Sequence, residues 1–416
     1  VIIIGGGFAG LQLAKKLNNK KDIEVLLIDK NNYHQFQPLF YQVATAGLDA
    51  SNISFPLRKV FHKSRNVSFR MAVLNSIQPN KNSIHTSTGE FTYDVLVLAT
   101  GADTNFFGNT AVKQFSFPMK STTEALQLRH RLIENFELAL NTKDDAHLQS
   151  LMNIVIVGAG PTGVELSGAI AEMRNNTLPK DYPELDFTKM HIHLVEGSER
   201  TLAAMSEKSS GQSRKYLEKL GVQVWTKTFV KDYDGNIVTL SNAEQIESKM
   251  VIWAAGIIGN LPAGVDAANV VRGNRIKVTR TNKVQDTENI YTIGDLAYME
   301  TPKYPHGHPQ VANVAIGQAK NLAVNIIRQV TGNKHYQNEF EYNDKGSMAT
   351  VGRNLAVVDI PKPQLHFGGW FAWLIWMGLH LLLILGVKNR LQIFINWMYK
   401  YFTYDQSLRL LFRHTY

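Results

Sequence analysis

The feature that most constrains the fold is a glycine-rich turn at the start of the chain, VIIIGGGFAG. Residues 1–4 have the β-branched composition of a buried parallel strand, and Gly5, Gly7 and Gly10 follow directly. Glycines at this spacing allow a tight turn, a close approach of the backbone to a pyrophosphate, and close packing of helix on strand. The next helix, predicted to begin near Phe8, would direct its N-terminal N–H groups at the phosphates. The pattern predicts a dinucleotide-binding βαβ unit.

An acidic residue at the end of the second strand normally accompanies such a unit, about 20 residues after the glycines, where it binds ribose hydroxyls. Asp29, at the end of VLLID, meets this expectation. Because the turn begins at the first residue of the sequence, we expect a short leader before Val1.

The same pattern returns at residues 153–172, NIVIVGAGPTGVELSGAIAE, with Gly158, Gly160 and Gly163 at the glycine positions. The following strand, HIHLVEG, ends in Glu196. A carboxylate there accepts a hydrogen bond from a ribose 2′-hydroxyl and repels a 2′-phosphate. We therefore predict that the second site prefers NADH to NADPH. The alternative is that Glu196 is only a solvated strand-end carboxylate.

Two dinucleotide units in one chain indicate two different nucleotides, as when a bound flavin takes hydride from a diffusing nicotinamide. Two further strand ends favour the flavin: residues 92–103 reach Ala99-Thr100-Gly101, and residues 289–297 reach Gly294-Asp295. A carboxylate at Asp295 could accept hydrogen bonds from the ribityl hydroxyls of FAD. Each motif is weak alone, because a strand-end aspartate is mostly a cap; their order along the chain is the specific signal.

Composition excludes several classes of protein. The 416 residues are enough for two or three domains, and the absence of cysteine excludes disulfides, thiolate metal sites and cysteine redox pairs. The net charge of +9 suits nucleic acid or an anionic membrane surface, but no nucleic-acid-binding motif is present. The histidine pair in PHGHP has no third ligand, so no metal site is predicted.

In this order the motifs resemble the glutathione reductase superfamily of flavoproteins, and most closely the type II NADH dehydrogenases, which are single-subunit, non-pumping NADH:quinone oxidoreductases. The resemblance covers nearly the whole chain and includes NNYHQFQPLFYQVATAG, GAGPTGVELSG, VIWAAGI, IYTIGDLA and MATVGRNLAVVD. It implies an α/β fold of two Rossmann-like domains followed by a helical membrane-docking region. It also implies hydride transfer from NADH to non-covalent FAD, then transfer of two electrons to a membrane quinone without proton pumping.

The resemblance also carries over site residues. It assigns FAD to Gly5, Gly7, Phe8, Ala9, Gly10, Asp29, Ala99, Thr100, Gly101, Gly294 and Asp295. It assigns NADH to Gly158, Gly160, Pro161, Thr162, Gly163, Glu196, Ala255 and Gly256. It implies that Glu165 lies near the flavin and delivers a proton to the quinone. The alternative for Glu165 is an acid in the first turn of a helix, stabilised by the helix dipole.

The quinone segment departs from the family pattern. Family members commonly carry Ala-Gln-x-Ala-x-Gln, whereas HPQVANVAIGQAKNLA has Asn313 and Gly317 at the two glutamine positions and Gln318 one place later. We assign the quinone to Asn313, Ile316, Gly317 and Gln318, and we expect Gly317 to enlarge the cavity and remove a donor. The alternative is an ordinary amphipathic helix from Val311.

The carboxyl-terminal region indicates a membrane surface. Residues 367–387 are uncharged apart from His380 and long enough to span a bilayer, but Trp370, Trp373 and Trp376 crowd one half, as at a headgroup interface. The next segment carries an apolar helical stripe of Leu391, Phe394, Ile395, Met398, Tyr401 and Phe402. From residue 388 to the end there are five basic residues, against one acid at Asp405: Lys388, Arg390, Lys400, Arg409 and Arg413. We predict monotopic docking on anionic lipid; the alternatives are a true span, or packing on the protein's own core or in a homodimer.

The predicted organisation is an FAD-binding domain from residues 1–112 and 257–340, an NADH-binding domain from 113–256, and a membrane-docking region from 341–416. The predicted location is the inner (cytoplasmic) membrane, on its NADH-containing side. Two other functions stay open from the sequence. One is a soluble NADH-dependent reductase of a small iron–sulfur protein, which would not need the tail. The other is a flavin-bearing interaction protein that senses NADH.

Overall fold

The computed structural model describes residues 1–332 and 337–412. The chain forms two compact units, and each unit is assembled from three separate segments. The first unit contains Val1–Gln35, Phe55–Asp103 and Ile257–Asn343. The second contains Phe36–Ser54, Thr104–Gly256 and Asp344–Tyr416, of which the last four residues lie outside the described part. Residues 36–54, which lie inside the predicted segment 1–112, thus pack with the second unit.

A five-stranded parallel sheet forms the centre of the first unit. Its strands follow the order Ile290–Thr292, Leu96–Leu98, Ile2–Ile4, Val25–Asp29 and Val67–Met71. The central strands are buried on both faces, which explains their unbroken runs of Ile, Leu and Val. The helices of this unit are Phe8–Leu17, Leu57–Val60 and Ala312–Val330. The first and the last of these helices pack against each other.

Two small sheets complete the first unit. One is an antiparallel meander of Leu74–Gln78, Ser83–Thr86 and Gly89–Thr92. The other consists of Val270–Val271, Arg275–Lys277 and Ala297–Tyr298. Four short strands lie at or next to the points where the chain passes from one unit to the other: Tyr33–Gln35, Ser54–Pro56, Ala102–Thr104 and Ile257–Gly259.

The second unit repeats the construction of the first. Its parallel sheet follows the order Phe117–Pro118, Met250–Trp253, Ile154–Val157, Ile192–Val195 and Val222–Trp225. Antiparallel sheets are formed by Val230–Tyr233, Ile237–Leu240 and Gln245–Glu247, and by Ser347–Gly352, Leu355–Pro361 and Gln364–Gly368. The predicted α/β fold with two Rossmann-like halves is confirmed.

The helices of the second unit include the predicted helix of the second glycine motif and both carboxyl-terminal helices. In chain order they are Phe40–Ala44, Ala50–Ile53, Thr110–Phe115, Thr122–Ala139, Asp145–Met152, Pro161–Asn176, Leu178–Asp181, Glu207–Lys219, Gly369–Leu383 and Val387–Thr403. The strand Ser347–Gly352 packs along the helix Pro161–Asn176. This packing requires Gly168, because a Cβ there would overlap the carbonyl oxygen of Val351.

Candidate functional site

The first glycine turn forms an open cradle at the start of the helix Phe8–Leu17. Gly7 is the N-cap, so no side chain caps the first N–H groups, and a Cβ on Gly7 would meet nothing within 4 Å. Gly10 lets the helix approach the turn, because a Cβ there would overlap the carbonyl oxygen of Gly5. Uncapped N–H groups over free space are what a pyrophosphate requires. The residues present therefore fit the phosphates of FAD.

Asp29 connects this turn to the second strand. Its carboxylate accepts the N–H of Gly6 at 2.6 Å and the N–H of Asn31 at 2.6 Å. Burial raises the pKa of Asp29, although both hydrogen bonds act to lower it. A carboxylate offers about four lone-pair positions, so two stay available for ribose hydroxyls.

Gly294 also reaches the first helix. A Cβ on Gly294 would lie 3.2 Å from the Cβ of Ala9, so the two predicted FAD residues are neighbours. The Gly294 N–H donates to Oε1 of Gln318 at 2.8 Å, while Nε2 of Gln318 is buried and has no partner in the described part of the chain. Thr100 donates its hydroxyl to the carbonyl oxygen of Asn260 at 2.7 Å.

The second glycine turn has the same geometry. Gly160 is an N-cap with open space above it, and Pro161 starts the helix Pro161–Asn176. Glu196 accepts the N–H of Ala159 at 2.6 Å and the N–H of Ser198 at 2.7 Å, which reproduces the two bonds of Asp29. A Cβ on Gly158 would lie 2.8 Å from Cα of Ala255, which brings the predicted Ala255-Gly256 turn against the glycines. The second turn therefore fits a second dinucleotide.

Glu165 is a buried acid, and it does not lie in the first turn of its helix. The first helical turn contains no acidic residue, so stabilisation by the helix dipole, the alternative considered from the sequence, is wrong. Only 7% of the residue is exposed, and burial raises its pKa to about 8. The Thr350 N–H, 3.4 Å from Oε1, and the indole N–H of Trp376 face the carboxyl and offset only part of this shift. At neutral pH the carboxyl therefore carries its proton.

Glu165 forms part of the wall of two cavities within the second unit. One cavity joins it to Thr162, at the start of the helix, and to Lys120. A second cavity, which is open to solvent and has a mainly apolar lining, also borders Glu165. Tyr41 also borders both. A protonated carboxyl thus lies between a polar cavity next to the glycine turn and a second, aromatic cavity.

Six of the fifteen residues that line the second cavity are aromatic, and we call it the aromatic cavity. The six are Tyr41, Trp373, Trp376, Trp397, Tyr401 and Tyr404. The Trp397 indole donates to Gln42 at 2.7 Å, and Gln42 donates to the Tyr41 hydroxyl at 2.8 Å, which fixes this side of the wall.

Three charged residues also line the aromatic cavity. Lys400 lies 3.4 Å from the Glu172 carboxylate. The Arg353 guanidinium packs against the rings of Tyr401 and Tyr404, 4.1 Å from each centroid. A planar ring with polar substituents matches such a lining.

The predicted quinone residues lie in the first unit, on the helix Ala312–Val330. The expectation that Gly317 enlarges a cavity is wrong, because the Phe340 ring occupies the space: a Cβ on Gly317 would lie 2.9 Å from two of its ring atoms. Gln318 is fully buried, whereas Asn313 and Ile316 are partly exposed. The sequence did not point to Arg353 as a site residue, and it pointed to Trp373, Trp376 and Tyr401 only as parts of a membrane-docking surface. A sequence signal for this cavity was available, because the motif MATVGRNLAVVD, which contains Arg353, is followed along the chain by the tryptophan-rich segment.

The two carboxyl-terminal helices present apolar side chains to solvent. Exposed positions include Val387 at 80%, Phe402 at 76% and Leu391 at 57%, and Ile393 and Trp397 face inward. Across residues 1–332 and 337–412, no helix is both long and apolar enough to span a bilayer. Arg413 lies outside the described residues. Within the described residues, no cluster of three His, Cys, Asp or Glu has metal-binding geometry.

Family models match most of the chain. The model described as pyridine nucleotide-disulphide oxidoreductase matches residues 1–319, and the model described as NDH2 C-terminal domain matches residues 345–404. Type II NADH:quinone oxidoreductase Ndh of Mycobacterium tuberculosis is 36% identical over 410 residues, which are 95% of this chain and 87% of that protein. NdhA of the same organism is 34% identical over 412 residues, 95% and 86% of the two chains.

Solved structures share the fold. The structure of NDH2 from Plasmodium falciparum in complex with NADH superposes with a TM-score of 0.88 over 99% of each chain, at 20% sequence identity. The sulfide:quinone oxidoreductase of Aquifex aeolicus superposes with a TM-score of 0.72 over 96% of this chain and 94% of that one, also at 20% identity.

Proposed function

The chain belongs to the type II NADH:quinone oxidoreductases, and from this membership we infer that it oxidises NADH through bound FAD and reduces a quinone. The enzyme class and the pairing of FAD with NADH agree with the sequence prediction. Since the chain has no cysteine, disulfide chemistry is excluded. When bound, FAD accepts hydride from NADH and passes two electrons to the acceptor.

We propose that each glycine turn holds one nucleotide. The turn at Gly7 and the carboxylates of Asp29 and Asp295 would hold the pyrophosphate, ribose and ribityl groups of FAD. The turn at Gly160 and the carboxylate of Glu196 would hold NADH. Each Glu196 oxygen accepts one backbone N–H and keeps a second lone pair that can accept a ribose hydroxyl. A carboxylate at this position would also repel a 2′-phosphate.

The single observation that carries the quinone assignment is the buried carboxyl of Glu165 in the wall of the aromatic cavity. A quinone is a flat ring with two carbonyl oxygens, and its reduction consumes two electrons and two protons. Aromatic walls can stack on the ring, and a carboxylic acid with a pKa of about 8 can donate a proton near neutral pH. We propose that the aromatic cavity binds the quinone headgroup and that Glu165 donates one of the two protons.

Anaerobic stopped-flow absorbance of the flavin tests this proposal. The enzyme is reduced with NADH and then mixed with a soluble short-chain quinone. In the Glu165→Gln variant we expect the quinone step to slow about 100-fold, which is the usual scale for loss of a general acid, and to slow far more than the NADH step. Glu184→Gln, at an exposed position, is the matched control and should leave both steps unchanged. Reoxidation of Glu165→Gln at the wild-type rate would exclude this residue as the proton donor.

We further propose that the helices Gly369–Leu383 and Val387–Thr403 dock the enzyme on the NADH-containing side of the inner (cytoplasmic) membrane as a peripheral protein. Their exposed apolar residues support this proposal, because a water-insoluble acceptor requires contact with lipid. Anionic lipid would add attraction through exposed basic residues such as Lys388. The same apolar face could instead support a homodimer.

A further inference from the structure

Arg353 is an incompletely satisfied cation in the wall of the aromatic cavity. Its Nε and Nη1 atoms are buried, and neither has a hydrogen-bond partner among the described residues. The rings of Tyr401 and Tyr404 pack against the guanidinium and restrain it. Lys400, the other cation of the cavity, lies 3.4 Å from Glu172, so its ammonium group has a carboxylate as partner.

Unpaired guanidinium donors imply a missing acceptor. A guanidinium stays protonated at every accessible pH, so Arg353 cannot relieve its burial by losing a proton. Leaving buried donors of a charged group unsatisfied is costly, and proteins avoid it unless a ligand or water completes the site. The aromatic rings can interact with the cation, but they do not accept in-plane N–H groups as an oxygen does.

From these observations, and resting on the proposed quinone function, we propose that Arg353 donates hydrogen bonds to one carbonyl oxygen of the quinone while Glu165 protonates the other. Bound FAD, once reduced, would supply the two electrons that the quinone takes up. Glu165 transfers its proton to the first oxygen, and the second oxygen carries the negative charge beside Arg353 until water supplies the second proton. Glu165 then takes up a proton from solvent, so that quinone, two electrons and two protons give quinol.

Charge alone does not decide between a neutral and an anionic acceptor, because Lys400 lies 3.4 Å from Glu172 and Arg353 leaves the lining net positive. The aromatic side chains of the wall favour a flat ring that carries carbonyl oxygens, as an oxidised quinone does. Arg353 therefore selects ligands with a second acceptor beyond the one that Glu165 serves. Quinones with two carbonyl oxygens meet this requirement, and analogues with only one carbonyl oxygen do not.

The test combines binding and turnover in the FAD-loaded enzyme. Trp373, Trp376 and Trp397 line the cavity, so quenching of tryptophan fluorescence by an oxidised short-chain quinone reports binding directly. Arg353→Gln should weaken quinone binding and raise the quinone KM about tenfold, the scale of a lost charged hydrogen bond. Arg353→Lys keeps the charge and should recover part of the affinity. Lys345→Gln removes a positive charge from an exposed position of the same unit and should behave as wild type.

The outcomes separate this proposal from the quinone assignment itself. If Arg353→Gln binds quinone as tightly as wild type while Glu165→Gln slows the quinone step, quinone uses the cavity without Arg353 and the inference is overturned. If neither variant changes binding or the quinone step, the cavity is not the quinone site and the proposed function of Glu165 falls with it. If Arg353→Gln loses only the binding of an anionic amphiphile such as dodecyl phosphate, the missing acceptor is an anion and the inference is again overturned.

Discussion

Glu165 makes the stability of the folded chain depend on pH. Burial raises its folded pKa to about 8, whereas an unfolded glutamate titrates near about 4.3. Between these values the folded state holds the extra proton, so the free energy of unfolding falls as the pH rises and the loss is complete above the folded pKa. Because glutamine does not titrate, the Glu165→Gln variant does not lose this free energy as the pH rises. We expect the variant to gain about 3 to 5 kcal/mol over wild type between about pH 5 and pH 9.

Urea unfolding at several pH values measures this difference. The Glu184→Gln variant has the same change in chemistry at an exposed position and should track wild type at every pH. If the stability gain of Glu165→Gln were the same at low and high pH, burial would not raise the pKa of the Glu165 carboxyl in the folded state.

Single residues were predictable where their partners are close in sequence. The glycines, Asp29 and Glu196 belong to strand–turn–helix units whose geometry depends on a few neighbouring positions, and the structure gives both acids the same two backbone bonds. Gly317 was not predictable in this way, because its neighbour Phe340 comes from another segment. The sequence led us to expect an empty space beside Gly317, but the ring of Phe340, from a distant segment, is packed there.

At the scale of elements, the helix of Glu165 and the strand Ser347–Gly352 depend on one glycine. A Cβ on Gly168 would overlap the carbonyl oxygen of Val351, which is backbone and cannot move aside alone. We expect Gly168→Ala to cost about 3 kcal/mol of unfolding free energy, because the strand must separate from the helix. Thr350 moves with the strand, so its hydrogen bond to Glu165 should also weaken and the quinone step should slow.

Gly211→Ala is the matched control for this prediction. Gly211 lies inside the helix Glu207–Lys219, and a Cβ there would meet nothing within 4 Å. Alanine should therefore stabilise this helix by about 0.5–1 kcal/mol through its higher helix propensity. Thermal melts of the two variants compare them directly. Equal effects of the two substitutions would show that helix propensity, and not the packing of the strand, governs position 168.

Elements of the two Rossmann halves follow from periodicity, since buried parallel strands and their helices have strong local patterns. The aromatic cavity does not follow from any local pattern. Its wall combines Tyr41, Glu165, Arg353 and Trp397 from four segments that only tertiary packing brings together. Trp370, Trp373 and Trp376 were interpreted as an interfacial belt, but Trp376 faces inward, and its ring lies 5.4 Å from that of Trp397 in a tilted pair.

For the whole molecule, alternation of the two units along the chain was only partly visible in the sequence. The return of the chain to the first unit near residue 257 follows from the second strand end at Gly294-Asp295. The transfer of residues 36–54 to the second unit has no such signal, because the short helices Phe40–Ala44 and Ala50–Ile53 carry no motif of their own. The functional domain limits stay a prediction.

Membrane association of the whole enzyme depends on how apolar area and charge in the carboxyl-terminal tail share the binding to lipid. Two basic residues of the described tail are paired with acids: Arg409 with Asp405 at 2.8 Å, and Lys400 at 3.4 Å from Glu172. Lys388 and Arg390 are exposed, and Arg390 also donates to backbone carbonyls. Apolar area should therefore contribute more to lipid binding than charge does.

Cosedimentation with vesicles of mixed neutral and anionic phospholipid measures the balance between apolar area and charge. Because Leu391 and Phe402 are 57% and 76% exposed, the double change Leu391→Ser and Phe402→Ser should lower binding about tenfold or more. Phe229→Ser, at a residue of the same unit that is 56% exposed and outside the tail, should bind as wild type. Raising the salt concentration should weaken wild-type binding only modestly, since few free charges contribute. Loss of most binding in high salt, or an unchanged double variant, would assign docking to charge or to another surface.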